Sequence, residues 1–292
     1  MKEVREIAPA KINWTLEVLG RRADGYHQIR TVMQTIDLCD EVLVEPGDEI
    51  RLEGGAAGED DLALGAARLL ALEAGCEAGA TVCVRKRIPV RAGLGGGSSD
   101  AAASLRALDR LWGLGYGRER LAGLAAKLGS DVPFFVYGGT ALCEGRGERV
   151  TPLPDVVETW LVLASPPYEV GEKTRRMYGA LTREDFVEGA RTEALVEAMR
   201  SAVRLEEPML FNAFERAAYE VFTGLAGYRD ALLSAGARRV HVAGSGPSLF
   251  ALFHEELDAR QAAGRLRLPG VAQVFVAKTC PHHAQPSDPS TP

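Results

Sequence analysis

Residues 93 to 99 read GLGGGSS, four glycines within five positions followed by two serines. A backbone without Cβ atoms reaches φ values closed to other residues and lets other groups approach the main chain. Immediately beyond, Ala101, Leu105, Leu108 and Trp112 recur at helical spacing, so the loop opens straight into an amphipathic helix. Unpaired amides at a helix N-terminus attract an anion through hydrogen bonds and through the helix dipole. Ser98 and Ser99 add hydroxyls that can meet a phosphate oxygen or a metal ion. Taken alone, the segment fits two readings: a polyphosphate cradle, or a flexible turn in which Ser98 or Ser99 caps the helix. Its glycine spacing matches neither Walker A nor GxGxxG.

The flanking chain alternates between strand and helix patterns. Residues 41 to 45 (EVLVE), a Pro46-Gly47-Asp48 turn, and then Ile50 and Leu52 predict an antiparallel hairpin. Asp60 and Asp61 precede Leu62, Ala66, Leu69 and Leu70, and Gly75 follows, which predicts a capped helix. Residues 81 to 88 (TVCVRKRI) predict a strand that ends at Pro89. A helix over 118–128 stops at Gly129, and the segment from Ser130 to the Gly138-Gly139 pair reads as turns at both ends. Prolines at 152 and 154 set a domain boundary, giving domains 1–154 and 155–280. The second begins with an apolar run at 160–164. Helical patterns follow at 184–203 and 210–235, then strands at 240–243 and 249–253 around Gly244-Ser245-Gly246-Pro247. A helix near 255–266 and a strand at 274–278 complete an order that suits a ferredoxin-like α+β sandwich. Residues 281–292 lack apolar periodicity and are expected to form a disordered tail.

Composition narrows the partners. The 292 residues are 46% hydrophobic and 25% charged, which is globular, and a net charge of -6 argues against broad capture of nucleic acid or anionic lipid. No apolar stretch approaches the roughly 18 residues of a membrane span, and MKEVREIAPAKIN lacks a signal core, so a cytoplasmic protein is expected. Cys39, Cys76, Cys83, Cys143 and Cys280 form no CxxC pair and have no histidine at metal-ligand spacing, so they are expected to be reduced structural thiols. His282 and His283 lie in the expected tail and receive no metal role.

Residues 89 to 102, PVRAGLGGGSSDAA, resemble the central motif of the GHMP superfamily of small-molecule kinases. Residues 9 to 27 (PAKINWTLEVLGRRADGYH) and 129 to 135 (GSDVPFF) resemble one branch of it, and GSGPSLFAL at 244–252 is similar to the superfamily's C-terminal glycine loop. The resemblance extends from about residue 7 to residue 280. It implies an α+β, two-domain GHMP kinase fold, with a ribosomal-protein-S5-like N-terminal domain, a ferredoxin-like C-terminal domain and a cleft between them. It further implies transfer of the γ-phosphoryl group of ATP, accompanied by Mg²⁺, to the 2-hydroxyl of 4-diphosphocytidyl-2-C-methyl-D-erythritol, in the non-mevalonate route to isoprenoid precursors. The expected partner is that small molecule, bound by a monomer or homodimer.

Residue by residue, Asp131 and Lys11 match the family's catalytic aspartate and lysine. A carboxylate can accept the proton of an attacking hydroxyl, and an ammonium beside it stabilises developing charge and keeps the carboxylate ionised. The resemblance assigns ATP to Pro89, Val90, Arg91, Ala92, Gly93, Leu94, Gly95, Gly96, Gly97, Ser98 and Ser99. It assigns the substrate to Asn13, Tyr26 and His27 and brings Gly244, Ser245 and Gly246 toward the ligand. Tyr26-His27 taken alone also fits the packing of a turn, and Gly244 to Gly246 a plain hairpin. A flat cytosine suits stacking between Tyr26 and a residue near Tyr168. The chain departs from the family's pattern after the prolines, where Ser-Thr is frequent and Pro166-Pro167-Tyr168-Glu169-Val170 here runs into Gly171-Glu172-Lys173-Thr174, and at Trp14, where leucine is usual. Two alternatives are weighed. A homoserine- or mevalonate-type kinase would change DGYH and DVPFF, and a non-catalytic nucleotide-binding module would have no need of both Lys11 and Asp131.

Overall fold

Two long strands form the frame: β1 (Val4–Arg21) and β2 (His27–Gly47), antiparallel and interrupted by bulges at Pro9/Ala10, Asn13/Thr15 and Val18/Gly20. The computed structural model describes residues 3–55, 61–168, 171–201 and 205–282. Every residue of β1 from 8 to 18 is buried, because the strand is covered on both faces. β2 pairs with β4 (Gly79–Arg85) along its second half, and β3 (Ile50–Gly54) runs parallel to β4 on that strand's far side. The predicted hairpin of EVLVE with residues 50 to 52 therefore does not form. A Cβ on Gly79 would lie 2.2 Å from Glu49 N, so the chain crosses over the end of β4 instead of folding back. Alternation marks a strand but leaves its partner open.

β4 stops at Arg85, short of the predicted Ile88, because the buried Asp40 carboxylate accepts the backbone N–H groups of Arg87 (2.5 Å) and Ile88 (2.8 Å). Helices α1 (Leu62–Ala74), α2 (Gly96–Trp112) and α3 (Arg118–Leu128) follow the sequence pattern. Asp61 caps α1 by accepting from Ala63 N at 2.8 Å, and Gly75 closes it at φ 59. Asp60 lies outside the described residues. The segment read as turns contains a short helix, α4 (Val132–Tyr137), whose Phe134 and Phe135 enter the core and whose Pro133 sits in the first turn, where its missing N–H costs little. β5 (Thr140–Gly145) joins the first half of β2, and β6 (Arg149–Pro152) extends from β5.

The second sheet starts at β7 (Trp160–Ser165). After it come α5 (Lys173–Gly179), a 3₁₀ turn (Arg183–Asp185) and α6 (Ala190–Arg200). The helix expected over 210–235 is divided. Phe211–Asn212 form β8, which pairs in parallel with Thr15 and Leu16 of β1, and α7 (Glu215–Val221) and α8 (Leu225–Ser234) are separated by Gly224 at φ 85. β9 (His241–Val242), β10 (Leu249–Phe253), α9 (Glu256–Arg265) and β11 (Gln273–Lys278) complete the chain's regular elements. The strands order as β11-β7-β10-β9, the arrangement of a ferredoxin-like sheet, and the first sheet has seven strands including β8.

The chain then returns to the first sheet. Cys280 N donates to Thr35 O at 2.9 Å, and His282 Nδ1 lies 2.6 Å from Asp155 Oδ1. The expected tail therefore starts no earlier than 283, and residues 283–292 lie outside the described residues. Among the described residues no helix is long and apolar enough to cross a membrane.

Candidate active site

Alternation along β1 sends Ala10, Ile12 and Trp14 into the core and Lys11 and Asn13 to a cleft of about 1410 Å³ lined by both halves of the chain. Lys11 Nζ donates to Asn13 Oδ1 at 2.8 Å, and Asn13 Nδ2 donates to Thr31 Oγ1 at 2.8 Å. Asp131, the capping position of α4, holds Oδ2 3.8 Å from Lys11 Nζ. The ammonium is enclosed, with 5% of its side chain exposed, while the carboxylate keeps 32% open to the cleft. The carboxylate can be reached from the cleft, whereas the ammonium lies away from water, where its charge acts more strongly.

Two glycine-bearing segments meet at this pair. Gly95, at φ 75, heads α2, and a Cβ there would strike the Phe135 ring at 2.7 Å. A Cβ on Gly93 would lie 2.3 Å from Ala243 O, and one on Gly244 would lie 2.8 Å from Gly93 O and 3.0 Å from Lys11 Nζ. The loop at 93–97 and the turn at 244–246 thus touch backbone to backbone over Lys11, whose own N–H donates to Leu94 O at 2.9 Å. Around Gly97 a Cβ would meet nothing within 4 Å, so the head of α2 is open to the cleft.

The cleft wall includes Pro89, Val90, Arg91, Ala92, Gly93, Gly95, Gly96, Gly97 and Ser98. Leu94 and Ser99 do not line the cleft: Leu94 packs in the core, and Ser99 is fully buried. Beneath the loop, Lys86 Nζ lies 2.5 Å from Asp40 Oδ2 and 2.6 Å from Asp100 Oδ2. Burial opposes the Lys86 charge, but the two carboxylates outweigh it and raise its pKa.

On the opposite wall, His27 stacks on Tyr178 with ring centroids 4.5 Å apart and planes at 22°, and Tyr178 meets Phe214 edge-on. Burial, with the charge of Arg21, lowers the His27 pKa, so at neutral pH the ring offers one donor and one acceptor. Tyr26 is 52% exposed at the cleft, with the Arg146 guanidinium 5.3 Å from its ring centroid.

The GHMP kinases N terminal domain family matches residues 61–139, and the GHMP kinases C terminal family matches residues 192–272. A 4-diphosphocytidyl-2-C-methyl-D-erythritol kinase of Dehalococcoides mccartyi is 42% identical over 87% of this chain and 91% of its own length. One of Pelotomaculum thermopropionicum is 40% identical over 94% of this chain and 98% of its own. The chain belongs to the 4-diphosphocytidyl-2-C-methyl-D-erythritol kinase family. A crystal structure of a 4-(cytidine 5'-diphospho)-2C-methyl-D-erythritol kinase superposes with a TM-score of 0.81 at 36% identity, covering 94% of this chain and 98% of the other. A homoserine kinase from Cytophaga hutchinsonii, at 20% identity and a TM-score of 0.70 over 97% and 96% of the two chains, shares the fold.

Besides Leu94, Ser99 and Gly246, a further expected site residue does not line the cleft. Tyr168 lies outside the cleft: it lines a separate pocket of about 380 Å³, its hydroxyl donates to Thr223 O at 2.8 Å, and its ring packs on Phe222. It therefore cannot cover a base held near Tyr26. Tyr178, ten residues on, does line the cleft, where α5 turns it toward His27. Ser245 faces the cleft with Gly244, whereas Gly246 turns its carbonyl to Lys173 Nζ at 2.6 Å. Lys86, Arg146, Lys173 and Tyr178 all line the cleft and were not singled out by pattern. Isolated cations and a lone aromatic carry no periodic signal, and only the fold brings them together.

Proposed function

We propose that this cleft transfers the γ-phosphoryl group of ATP to the 2-hydroxyl of 4-diphosphocytidyl-2-C-methyl-D-erythritol, giving the 2-phosphate and ADP, a step toward isoprenoid precursors. The observation that carries the reading is the Lys11–Asp131 pair at 3.8 Å, lying beside an open, glycine-built helix N-terminus. Amides of the 93–98 loop and the head of α2 receive the polyphosphate. Asp131 orients the acceptor hydroxyl and takes its proton, and Lys11, itself fixed by Asn13, sets a positive charge beside the reacting groups. The cytosine lies against the aromatic wall, its edge within reach of His27 and its face on Tyr26 or Tyr178.

Mg²⁺ accompanies the nucleotide in this reading. Among the described residues no group of three or more His, Cys, Asp or Glu could hold a metal by itself, which suits an ion that keeps water and phosphate oxygens as most of its ligands. The Ser98 hydroxyl on the cleft wall is the residue that would complete them. When bound, the ion neutralises polyphosphate charge. The protein is proposed to act on its small molecule in the cytoplasm, as a monomer or homodimer, with neither nucleic acid nor membrane as partner.

A coupled ADP-release assay with the cytidyl substrate, homoserine and mevalonate tests the reading. Turnover is expected with the first alone, and folded protein inactive on it would overturn the assignment.

A further inference from the structure

Lys173 opens α5 and lines the same cleft as Lys11, and its ammonium donates to Gly246 O at 2.6 Å. The same turn begins at Gly244, where a Cβ would lie 3.0 Å from Lys11 Nζ. Two ammonium groups therefore bracket one glycine turn, and that turn rests on Gly93 of the nucleotide loop. A neutral carbonyl is a weak partner for a largely buried cation, and an arriving phosphate offers a stronger, charge-assisted one. Four rotatable bonds let a lysine exchange one for the other without moving the backbone.

Resting on the kinase reading above, we propose that Lys173 is a phosphate-binding residue that leaves the Gly246 carbonyl and holds the γ-phosphoryl group, opposite Lys11, as that group passes to the acceptor. Lys11 on β1 and Asp131 at the cap of α4 are the charges acting on it from packed elements, and the 244–247 turn carries no titratable side chain. On its own segment, Glu172 is paired with Arg175 at 2.9 Å. Burial, reinforced by Lys11 and opposed by Asp131, brings the Lys173 ammonium down to about 8, so its charge is lost as pH rises through that value.

Calorimetry of ADP and of the β,γ-imido analogue of ATP, each with Mg²⁺, tests the contact without turnover. It therefore decides even if the acceptor proves to be another molecule. Lys173→Met is expected to weaken the imido analogue by about tenfold or more while changing ADP by less than about threefold. Equal weakening of both nucleotides, or of neither, overturns the proposal. In turnover of the cytidyl substrate, the same variant is expected to lose about 100-fold in kcat with the acceptor KM within about threefold. A raised acceptor KM at unchanged kcat assigns the ammonium to the substrate's own diphosphate and overturns the γ-phosphoryl contact.

Lys173→Arg keeps the charge at every assayed pH and is expected to retain most of kcat. It should also abolish the fall in wild-type kcat/KM for ATP above pH about 8. A purely structural link to Gly246 would leave that alkaline limb unchanged, which would likewise overturn the proposal. Should Lys173→Met melt well below wild type, the arginine variant and its pH profile carry the test.

Discussion

Asp131 is reached from the cleft while Lys11, 3.8 Å away, is enclosed by Asn13, the Leu94 backbone and Gly244. Replacing Asp131 with Asn keeps the shape and removes the proposed proton acceptor. Turnover is expected to fall by about 10² to 10⁴, with the affinity for an ATP analogue within about twofold; undiminished turnover would remove its role. Gly244 sits at φ 55 with Gly93 O in the way of any side chain. Gly244→Ala should cost about 1–3 kcal/mol in urea unfolding and lower kcat by displacing Lys11. At this scale, residues within contiguous motifs were legible: PAKIN and GSDVPFF both reach the cleft. Tyr168 was misread because the segment after Pro166-Pro167 departs from the family's pattern, so nothing local said which aromatic α5 would turn inward.

The glycine turn between β9 and β10 is held from outside by β8. Asn212 Nδ2 donates to Val242 O and to Gly244 O, both at 2.8 Å, and its Oδ1 accepts from Phe214 N at 2.9 Å. Asn212→Ala leaves buried carbonyls without that donor and is expected to cost about 2–4 kcal/mol by denaturant melts, with a loss of kcat from the loosened turn. Stability unchanged within error would show that the turn holds its shape alone. Helices with caps at both ends, such as α1, could be bounded from sequence because the caps are local. Strand partners could not be read. EVLVE pairs with β4 rather than with Ile50 to Leu52, and Phe211–Asn212 leave a helical pattern to join β1, because pairing is decided by distant chain.

Across the whole molecule, the two-domain fold was legible in composition and motif order, but the return of residues 279–282 to the first sheet was not, since it rests on a backbone bond to Thr35 and a contact of His282 with Asp155. Acid stability also belongs to this scale. Burial, aided by Arg239, lowers the His241 pKa to about 4, so the folded chain keeps that ring neutral. The unfolded chain binds the proton near pH 6.5, and the resulting stabilisation is present above that pH and lost as pH falls toward 4, by at most about 3 kcal/mol. Melts of wild type and His241→Phe between pH 7 and 4 should show a shallower loss in the variant. Parallel curves would assign the acid sensitivity elsewhere.

β8 comes from the later part of the chain yet forms the edge of the earlier sheet, next to β1. The two halves are accordingly poor modules for recombination. A hybrid that joins residues 1–154 of this chain to the C-terminal half of a homoserine kinase imports a foreign edge strand, and with it whatever replaces Asn212. Crossovers that keep residues 205–214 with their own β1 are the ones expected to yield folded, active hybrids, so a shuffled library selected for activity should inherit those two segments from the same parent.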